Sequence, residues 1–363
     1  MRPHPSAEDI LLTLRKYSHL PLKIMEVCGT HTVSAFRSGV RSVLPERFRL
    51  LSGPGCPVCV TSQGQIDSAV SLADIPDSVI LTYGDMLRVP GSRGSLADAR
   101  ARGRDVRVVT SAMDALSIAA SSPERHVVFL AAGFETTAPA TAAMLSAASE
   151  RHIDNLSVFC LHKRTPPAVR ALLDDRDLGI DALILPGHVC VILGHEPFAF
   201  VAAACGRPCV VAGFSADSIL LAVLDLAIQV SNGSAELHSV YPEAVRPEGN
   251  ERALALLDTV FVPCDTTWRG LGRIPGSGFR LSPAFESFDA ASRLGLSASE
   301  PPEPPGCRCG DILRGRITPP ECPLFRNACT PTAPVGPCMV SSEGTCGAYF
   351  RFHEGRSVSW ETI

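Results

Sequence analysis

Three cysteines in two short glycine-rich turns are the side chains of this sequence best placed to do chemistry. Cys28 lies in EVCGTHT, and Cys56 and Cys59 form a CxxC pair in GPGCPVC. Each turn follows an apolar segment, and a turn at the end of a strand holds its side chains at the rim of a cleft. A CxxC pair can cycle between dithiol and disulfide. A tight turn with two incidental cysteines is the alternative.

His31 follows Cys28 by three residues. An imidazole near thiols can serve as a metal ligand or as a base, and soft thiolates suit iron or zinc. The spacing therefore favours one site shared by these thiols and His31, with a purely structural histidine as the alternative.

A second group of cysteines lies near the end of the chain. Its six members are Cys307, Cys309, Cys322, Cys329, Cys338 and Cys346. Clustered cysteines in a reducing compartment point to metal or redox chemistry rather than to structural disulfides. Zinc sites typically use paired CxxC knuckles, which this region lacks, whereas wide and uneven spacing is easier to reconcile with an iron–sulfur cluster. We predict a cluster, with structural zinc or no metal as alternatives.

Two further loops follow predicted strands and carry polar groups. GFETTAP contains Glu135, Thr136 and Thr137, and PGHVC contains His188. Polar groups at strand ends are candidates for a functional site, and helix capping is the alternative explanation for these residues.

The elements that must position these loops are short apolar runs that alternate with helix-like segments. The runs span 22–27, 48–52, 78–83, 106–110, 126–132, 156–161, 182–186, 208–213 and 259–263. Continuous apolar strands alternating with helices predict an α/β fold with parallel sheet covered on both faces. A TIM barrel and two doubly wound lobes both fit. We favour two lobes, because the turns are irregular and a cleft between two open sheets suits binding.

Polar and proline-rich breaks suggest the domain limits. SSPERH near the midpoint and EPPEPPG before the tail divide the chain into 1–125, 126–300 and 301–363. The last segment is a small cysteine-rich domain whose thin core requires a metal cofactor. An amphipathic helix is predicted over 7–18 with Ser6 as its N-cap, and GLGRIPGSG is interpreted as a structured connector.

Composition excludes several classes of function. The net charge is −4 and aromatic residues make up 6% of the chain, with scattered basic residues, so a nucleic-acid partner is not expected. No apolar run is long enough for a membrane helix, and the polar start does not read as a signal peptide. A cytoplasmic location is the expectation.

Taken together and in order, five motifs resemble the HypD family of hydrogenase maturation factors. They are EVCGTHT, GPGCPVC, GFETTAP, PGHVC and the tail CGDILRG…CPLF…C…MVSSEGTC, and the match spans nearly the whole chain. The resemblance implies a scaffold for building the Fe(CN)2CO unit of [NiFe]-hydrogenases. It also implies two partners, a small chaperone of the HypC type and a cyanide carrier of the HypE type. Whether such turnover counts as catalysis or assembly stays open.

The resemblance also implies roles for individual residues. Cys28 would hold the iron, shared with a cysteine of the chaperone, while Cys56 and Cys59 would be a redox pair or additional iron ligands. The cleft would be lined by His31, Glu135 and His188. A [4Fe–4S] cluster would be held by Cys309, Cys322, Cys329 and Cys346, which leaves Cys307 and Cys338 as spares. Many members carry a second histidine where this sequence has Val33, so no ligand role is expected there.

Thiolates are electron-rich donors of the kind that low-spin iron with cyanide and carbonyl ligands requires. The resulting hypothesis is that electrons pass from the cluster through Cys56 and Cys59 to the iron at Cys28. Two other classes stay open: a thiol- or cluster-dependent oxidoreductase, and a two-lobed binding protein with a zinc-stapled tail. The carbonyl source and the electron donor are not indicated by the sequence.

Overall fold

The computed structural model describes residues 5–175, 177–296 and 299–353 of the 363-residue chain. Its strands are β1 Leu22–Glu26, β2 Phe48–Ser52, β3 Ser78–Thr82, β4 Val106–Val108, β5 His126–Ala131, β6 Leu156–Cys160, β7 Ala182–Pro186, β8 Cys209–Ala212, β9 Leu237–Ser239, β10 Phe261–Trp268 and β11 Gly272–Leu281.

The α-helices are α1 Ala7–Leu14, α2 Gly29–Arg37, α3 Val40–Val43, α4 Pro57–Val60, α5 Gln63–Leu72, α6 Leu96–Ala101, α7 Ala112–Ser121, α8 Ala138–Glu150, α9 Thr165–Leu173, α10 Gly187–Leu193, α11 Phe200–Ala203, α12 Ala216–Asn232, α13 Glu251–Val260, α14 Ala290–Arg293, α15 Cys309–Leu313, α16 Pro337–Val340 and α17 Thr345–Phe352. Short 3₁₀ helices span Arg15–Tyr17, Gly84–Arg88, Glu196–Phe198, Pro283–Phe288 and Pro319–Glu321.

Two parallel sheets form the body of the protein. The first has the strand order β2-β1-β7-β8-β9 and the second the order β4-β3-β5-β6. Every pairing within both sheets is parallel. Strands such as β3 and β7 are buried along their whole length, as expected for parallel strands covered by helices on both faces. The predicted α/β class with two parallel sheets is confirmed.

The first sheet is assembled from two distant parts of the chain. β1 pairs with β2 on one side and with β7 on the other, so the chain leaves this sheet after β2, builds the second sheet, and returns at β7. The predicted limit at residue 125 does not coincide with a division between sheets, because β3 and β5, which lie on either side of it, are paired neighbours. The reason is physical: in a doubly wound fold a returning strand can insert beside the first strand.

An antiparallel hairpin of β10 and β11 completes the strands. The sequence placed an apolar parallel strand at 259–263, but helix α13 continues to Val260 and the strand begins at Phe261. GLGRIPGSG, interpreted as a connector, falls largely within β11. Its glycines weaken any strand pattern, and only pairing with β10 makes it a strand.

Two predicted helices are confirmed, and they pack on each other. Ser6 caps α1 through a capping box with Asp9, and a 3₁₀ turn continues this helix to Tyr17. The apolar stretch 218–230, which carries Asp225 and Gln229 and is predicted to be a buried helix rather than a membrane span, lies within α12, which packs against β7 and β8. Within the described residues, no helix combines the length and apolarity needed to cross a membrane.

The cysteine-rich tail packs on the rest of the protein. Helix α17 contacts α2, and α16 contacts α4, so the tail touches both turns that carry the first three cysteines. The proline-rich segment before it is tied down by two carboxylates: Glu300 accepts from the hydroxyl of Ser62 at 2.6 Å, and Glu303 accepts from the N–H of Gly270 at 3.1 Å. Residues 354–363, part of the predicted third domain, lie outside the described residues.

Candidate functional site

A cleft of about 370 Å³ opens where the carboxyl ends of the two sheets face each other. The residues that follow β1, β3, β5 and β7 all contribute to its wall, among them Cys28, Asp85, Thr136 and His188. Ligands of open parallel sheets bind at this end of the strands. The cleft therefore joins loops that are far apart in the sequence, as the motifs predicted.

Cys28 lies at the start of helix α2 in the wall of this cleft and is 7% exposed. The N–H of the next residue, Gly29, donates to the carbonyl of Gly55 at 2.9 Å, which fastens the two cysteine-bearing turns together. Gly55 also packs directly on the backbone of Cys28, where a Cβ atom would overlap both its Cα and its N. The contact needs glycine, since no flexible side chain is available to move aside.

We expect Gly55→Ala to damage the site by forcing the two turns apart. Overpacking against fixed backbone costs about 1–3 kcal/mol or more, so a lower midpoint in thermal unfolding should accompany faster alkylation of Cys28. Gly179→Ala is the matched control, because a Cβ there meets only the end of the Lys23 side chain at 3.6 Å. An unchanged midpoint and alkylation rate in Gly55→Ala would contradict the interlocking of the two turns.

The Cys28 thiol is held in its protonated form at neutral pH. Burial, aided by the nearby charge of Glu343, raises its pKa to about 12, and hydrogen bonds from the backbone of His31 and Thr30 only partly oppose this. A thiol must lose its proton to bind a metal. A metal ion that binds to Cys28 therefore has to displace that proton.

Glu343 is a residue of this cleft that the sequence reasoning missed. Its carboxylate accepts a hydrogen bond from the hydroxyl of Thr30 at 2.6 Å, and its backbone lies against Gly29. Burial raises the pKa of this carboxyl, with a smaller contribution from the charge of Asp85. The sequence feature that could have indicated Glu343 is an acidic residue between serines and a glycine in MVSSEGTC, a motif that contributed to the family resemblance.

Glu343→Gln is expected to make Cys28 more reactive at lower pH. The carboxylate charge helps to raise the pKa of the thiol, so its removal lowers that pKa and shifts the onset of thiolate alkylation toward neutrality. Iodoacetamide rates measured by mass spectrometry of the Cys28 peptide between pH 7 and 10 test the shift. Asp311→Asn, on the tail but outside the cleft lining, serves as the control. A profile shifted to higher pH would show that Glu343 does not act by its charge.

Cys56 and Cys59 form a disulfide. The N–H of Cys59 donates to the sulfur of Cys56 at 3.2 Å, which makes Cys56 the N-cap of helix α4. The two residues are 3% and 0% exposed, so Pro57 and Val58, rather than the sulfurs, face the cleft. The disulfide lies behind the wall that carries Cys28.

The serine pair of the tail connects this disulfide to the cleft. The Ser341 hydroxyl lies 3.3 Å from the sulfur of Cys56 and donates to the carboxylate of Asp85 at 2.8 Å. The same carboxylate accepts from the N–H of Ser342 at 2.9 Å and from its hydroxyl at 3.0 Å. Asp85, in the 3₁₀ helix that follows β3 of the second sheet, thus holds the tail against the disulfide.

The hairpin fixes the other side of the CxxC turn. Arg269 donates from its backbone N–H to the carbonyl of Val60 at 2.8 Å and from Nε to the carbonyl of Thr61 at 3.0 Å. The neighbouring Trp268 stacks on Phe134, with 5.8 Å between the rings, and so reaches the GFETT loop. The turn that carries Cys59 is therefore held at both ends.

His188 lines the cleft, whereas His31 lies behind it. Both imidazoles stack on Phe214, with centroid distances of 3.9 Å for His188 and 4.6 Å for His31. His31 donates from Nε2 to the carbonyls of Gly213 and Ala212 at 2.9 Å and 3.1 Å, and its Nδ1 has no partner among the described residues. Burial lowers the pKa of His31 to about 4 and also lowers that of His188. Both rings are neutral at pH 7.

Glu135 points away from Cys28. Its carboxylate accepts from the N–H and the hydroxyl of Thr165, both at 2.7 Å, and so caps the start of α9. Burial raises its pKa, and it lines a neighbouring cavity, while Thr136 and Thr137 line the Cys28 cleft. Of the three residues expected to line that cleft, the structure places His188 there and sets His31 and Glu135 behind its wall.

The tail cysteines surround a single small cavity. Its lining consists of thiols, apolar side chains and Gly336, and the thiols are those of Cys307, Cys309, Cys322, Cys329, Cys338 and Cys346. The sulfurs of Cys309 and Cys338 are 2.9 Å apart, so Cys338, expected to be a spare, lies among the expected ligands. Within 5–175, 177–296 and 299–353, no three Cys, His, Asp or Glu side chains are arranged to hold a metal ion.

Contacts between helices bring this cavity close to the disulfide and to Cys28. Helix α16 carries Cys338 and packs on α4, which carries Cys59. Helix α17 carries Cys346 and packs on α2, which begins directly after Cys28. The three cysteine groups of the sequence thus form one connected region.

Comparison with known proteins leads to the same family as the five sequence motifs. The sequence profile of HypD, described as "Hydrogenase formation hypA family", matches residues 6–353. The chain belongs to the HypD family. It is 44% identical to hydrogenase maturation factor HypD2 of Bradyrhizobium diazoefficiens over 352 residues, covering 93% of each chain. It is 43% identical to HypD of Escherichia coli, covering 93% of this chain and 91% of that protein, and 45% identical to HypD of Cupriavidus necator, covering 92% and 90%.

The family resemblance drawn from the five motifs is confirmed. In this HypD-family chain the motifs EVCGTHT, GPGCPVC and PGHVC meet at the cleft, and GFETTAP contributes its threonines and Phe134. The last motif supplies Glu343 to the cleft and its cysteines to the tail cavity. The motifs are therefore one spatial unit.

Proposed function

We propose that this chain is an assembly scaffold in hydrogenase maturation, on which the Fe(CN)2CO unit of [NiFe]-hydrogenase is built. Cys28 is the thiolate that holds the iron, which is the cargo of the reaction. Cys56 and Cys59 are the redox pair. Membership of the HypD family supports a role in hydrogenase maturation, and the specific chemistry is proposed in addition to that role. One observation supports it: among the described residues, the Cys28 thiol is the one thiol in the lining of the cleft, and it lies against a turn that contains a disulfide.

The cleft suits a small iron unit with diatomic ligands. Its volume of about 370 Å³ lies at the lower end of the range for small-molecule sites and is enough for such a unit. Thiolate is a soft donor that suits low-spin iron. His188, neutral at pH 7, and the hydroxyls of Thr136 and Thr137 face the same space, where they can donate to or accept from the outer atoms of bound ligands.

A residue of this chain can accept the proton that Cys28 releases. The thiol proton must leave as the iron binds. Glu343 is the carboxylate whose charge acts on the pKa of that thiol. Glu343 is itself buried and bonded to Thr30, the second residue after Cys28. We propose that Glu343 receives the proton and passes it to solvent in the cleft.

The tail cavity is proposed to hold a [4Fe–4S] cluster. The fit is one of donor chemistry: the lining is apolar except for thiols, which are the donors of such clusters. Cys309, Cys322, Cys329 and Cys346 are the proposed ligands, and Cys307 and Cys338 line the same cavity. When bound, the cluster would supply electrons one at a time. Around it, α16 and Ser341 hold Cys56 in contact with the tail.

Two partners belong to the proposal. A small chaperone of the HypC type would share the iron through its own cysteine, and a carrier of the HypE type would bring cyanide. Cys28, His188 and the threonines are the residues on this chain that such partners would approach, since they line the cleft.

An infrared spectrum of the protein co-purified anaerobically with these partners tests the function. Stretching bands of iron-bound cyanide and carbonyl, together with iron in the metal analysis, are the expected result. Absence of both bands with all partners present would overturn the scaffold role. Zinc without iron would instead favour a binding protein with a zinc-stapled tail.

A further inference from the structure

Lys163 is a fully buried lysine in a chain that uses arginine at most of its basic positions. Of the 33 lysine and arginine residues, only Lys16, Lys23 and Lys163 are lysines. Lys16 and Lys23 are exposed, whereas Lys163 is 0% exposed. A buried ammonium group has lost its hydration, so it needs hydrogen-bond partners inside the protein. The partners of Lys163 show which parts of the fold this residue joins.

The ammonium group of Lys163 has one acceptor for each of its three hydrogens. Its Nζ donates to Oε1 of Gln65 at 2.7 Å, to Oγ1 of Thr266 at 3.0 Å and to the carbonyl of Thr267 at 2.9 Å. We call these four residues the Lys163 clamp. All three acceptors are uncharged, and among the described residues no carboxylate lies within ion-pair distance of Nζ. The clamp therefore encloses a titratable amine without a counter-charge in contact with it.

The Lys163 clamp joins the two walls of the Cys28 cleft. The backbone N–H of Lys163 donates to the carbonyl of Gly133 at 2.9 Å, and Gly133 lies in the wall formed by the second sheet. Gln65 is in the first turn of α5, the helix that follows the CxxC turn. Pro57 and Val58 of that turn lie in the wall formed by the first sheet. One residue thus links the loop after β6 to the segment that carries the disulfide.

The hairpin extends the same link. Directly after Thr267, Trp268 stacks on Phe134 of the GFETT loop, with 5.8 Å between the rings. Arg269 donates from its backbone N–H to the carbonyl of Val60, the residue that follows the CxxC pair. A separation of the two walls at this point would break the bonds of Lys163 to the hairpin and to α5.

Exposure of the disulfide requires the turn that carries it to open. Cys56 and Cys59 are 3% and 0% exposed, so a reductant in solvent cannot reach their sulfurs in the closed fold. The helix that continues from this turn is the one that Lys163 binds through Gln65. Movement of the turn away from the second sheet therefore brings water to the amine of Lys163 as well as to the disulfide.

Burial also reduces the affinity of Lys163 for its proton. Loss of hydration lowers the pKa of this amine to about 7, while charge on Cys264 of β10, Glu300 of the proline-rich segment and Cys160 of β6 would act in the opposite direction. Burial raises the pKa of both thiols, so neither is charged at pH 7. Glu300 accepts from the hydroxyl of Ser62 at 2.6 Å.

Other charged side chains near the clamp form their bonds elsewhere. Arg164, the next residue in the sequence, donates to the carbonyl of Gly276 at 2.7 Å. Asp265, beside Thr266, accepts from the N–H of Gly276 at 3.0 Å. Helix α5 presents the uncharged amide of Gln65 to the clamp. The amine of Lys163 is therefore the titratable group whose state changes when the clamp opens.

We propose that Lys163 is a proton-linked closure of the Cys28 cleft. The two walls separate at the Lys163 clamp, and the amine takes up a proton from water as they separate. The role given to the closure, control of access to the redox pair, rests on the proposed function. The closure itself requires neither iron nor a partner protein.

The direction of the pH dependence follows from the two states of the amine. A lysine in water has a pKa of about 10.4, which is the state reached in the open form. Between that value and the lower pKa of the closed form, the open form binds one proton more than the closed form. Opening therefore becomes less favourable as the pH rises, by up to about 10-fold per pH unit. The cleft opens more easily at pH 7 than at pH 9.

Reduction of the disulfide by tris(2-carboxyethyl)phosphine in the full chain tests the closure. The reagent converts the disulfide to two thiols and becomes the phosphine oxide, with its oxygen taken from water. Rates are measured by mass spectrometry of the alkylated Cys56–Cys59 peptide, at reagent concentrations where the rate is proportional to concentration and so reports the opening equilibrium. Division by the rate for oxidised glutathione removes the reagent's own pH dependence. We expect this relative rate to fall by about 10-fold per pH unit between pH 7 and 9.

Two substitutions at the clamp should remove that slope. Gln65→Glu places a carboxylate where Oε1 is 2.7 Å from Nζ, and the opposite charge raises the pKa of Lys163 in the closed form. Glutamate also suits the capping box that Gln65 forms with Ser62, so this variant is expected to fold. Lys163→Met removes the titrating amine. Lys16→Met, at an exposed lysine, is the matched control and should keep the wild-type slope.

Nuclear magnetic resonance of the chain labelled at lysine Cε provides a second readout. The chain has three lysines, and the signal lost in Lys163→Met belongs to Lys163. We expect that signal to titrate near pH 7 in the wild type and at higher pH in Gln65→Glu. Titration of Lys163 at the pH of a lysine in water would overturn the closure, and so would a wild-type slope of the reduction rate in Lys163→Met.

The infrared experiment separates failure of this inference from failure of the proposed function. Cyanide and carbonyl bands together with a reduction rate that lacks the slope would leave the scaffold in place and remove the closure. Absence of the bands, with the slope present in the wild type and lost in both clamp variants, would remove the scaffold. A proton-linked closure over a buried disulfide would then remain as a property of the fold.

Discussion

Replacement of Cys28 by alanine is expected to abolish the cyanide and carbonyl bands of the co-purified complex. Among the described residues that line the cleft, Cys28 carries the only thiol, so no other side chain there can take over as a soft ligand. Cys28→Ser should fail in the same way, although it restores most of the packing, because a serine hydroxyl is a harder and far less acidic donor. Infrared spectra and iron content per chain are the measurements.

Cys205→Ala is the matched control for this loss. Cys205 is a partly exposed thiol near α11 and lines neither the Cys28 cleft nor the tail cavity. Wild-type bands are expected in that variant, and circular dichroism should show all three variants folded. Bands of normal intensity in Cys28→Ala would exclude Cys28 as the iron ligand.

Loss of either cysteine of the CxxC pair is expected to leave the iron without its full set of ligands. A disulfide needs both sulfurs, so Cys56→Ala and Cys59→Ala should each cost as much as the double variant, the non-additive behaviour of residues that act as one unit. The Cys28 thiol remains in place in all three. Iron can then still be retained while the cyanide bands are weak or absent.

Ser341→Ala tests whether contact with the tail matters to this pair. The Ser341 hydroxyl is 3.3 Å from the sulfur of Cys56, so its removal should change the midpoint potential of the disulfide in a dithiothreitol redox titration. Cys264→Ala, a partly exposed thiol of the hairpin, should leave both the bands and the potential unchanged. Fully ligated iron in both single CxxC variants would refute the redox role.

Local pattern was sufficient for most of the strands and for the family. Runs such as 182–186 are short, continuous and apolar, and this one ends in a proline that is followed by glycine. Such a pattern is typical of a parallel strand that is buried on both faces. The pairing of β10 with β11 could not be predicted in the same way. Glycines in β11 carry no side-chain alternation, and the strand exists because β10 lies beside it.

The predicted limit near residue 125 shows where a local pattern is misleading. A polar break at SSPERH looked like a boundary, yet β5 follows it and pairs with β3, which precedes it. The limit at EPPEPPG stays a prediction, and its Glu300 and Glu303 accept hydrogen bonds from Ser62 and Gly270. Polar residues mark the surface of a fold, but only the pairing of strands and the partners of charges show where one unit ends.

The sequence by itself determined which chemistry is available: a lone thiol beside a CxxC pair, six more thiols in the tail, and motifs specific enough to establish the family. Residue types and short spacings fix these properties because they depend on covalent neighbours. Tertiary structure alone decided which groups meet. It brought Glu343 to Cys28, turned Glu135 toward α9, and stacked His31 on Phe214 behind the wall of the cleft. Those placements depend on contacts between residues far apart in the chain, which no local pattern encodes.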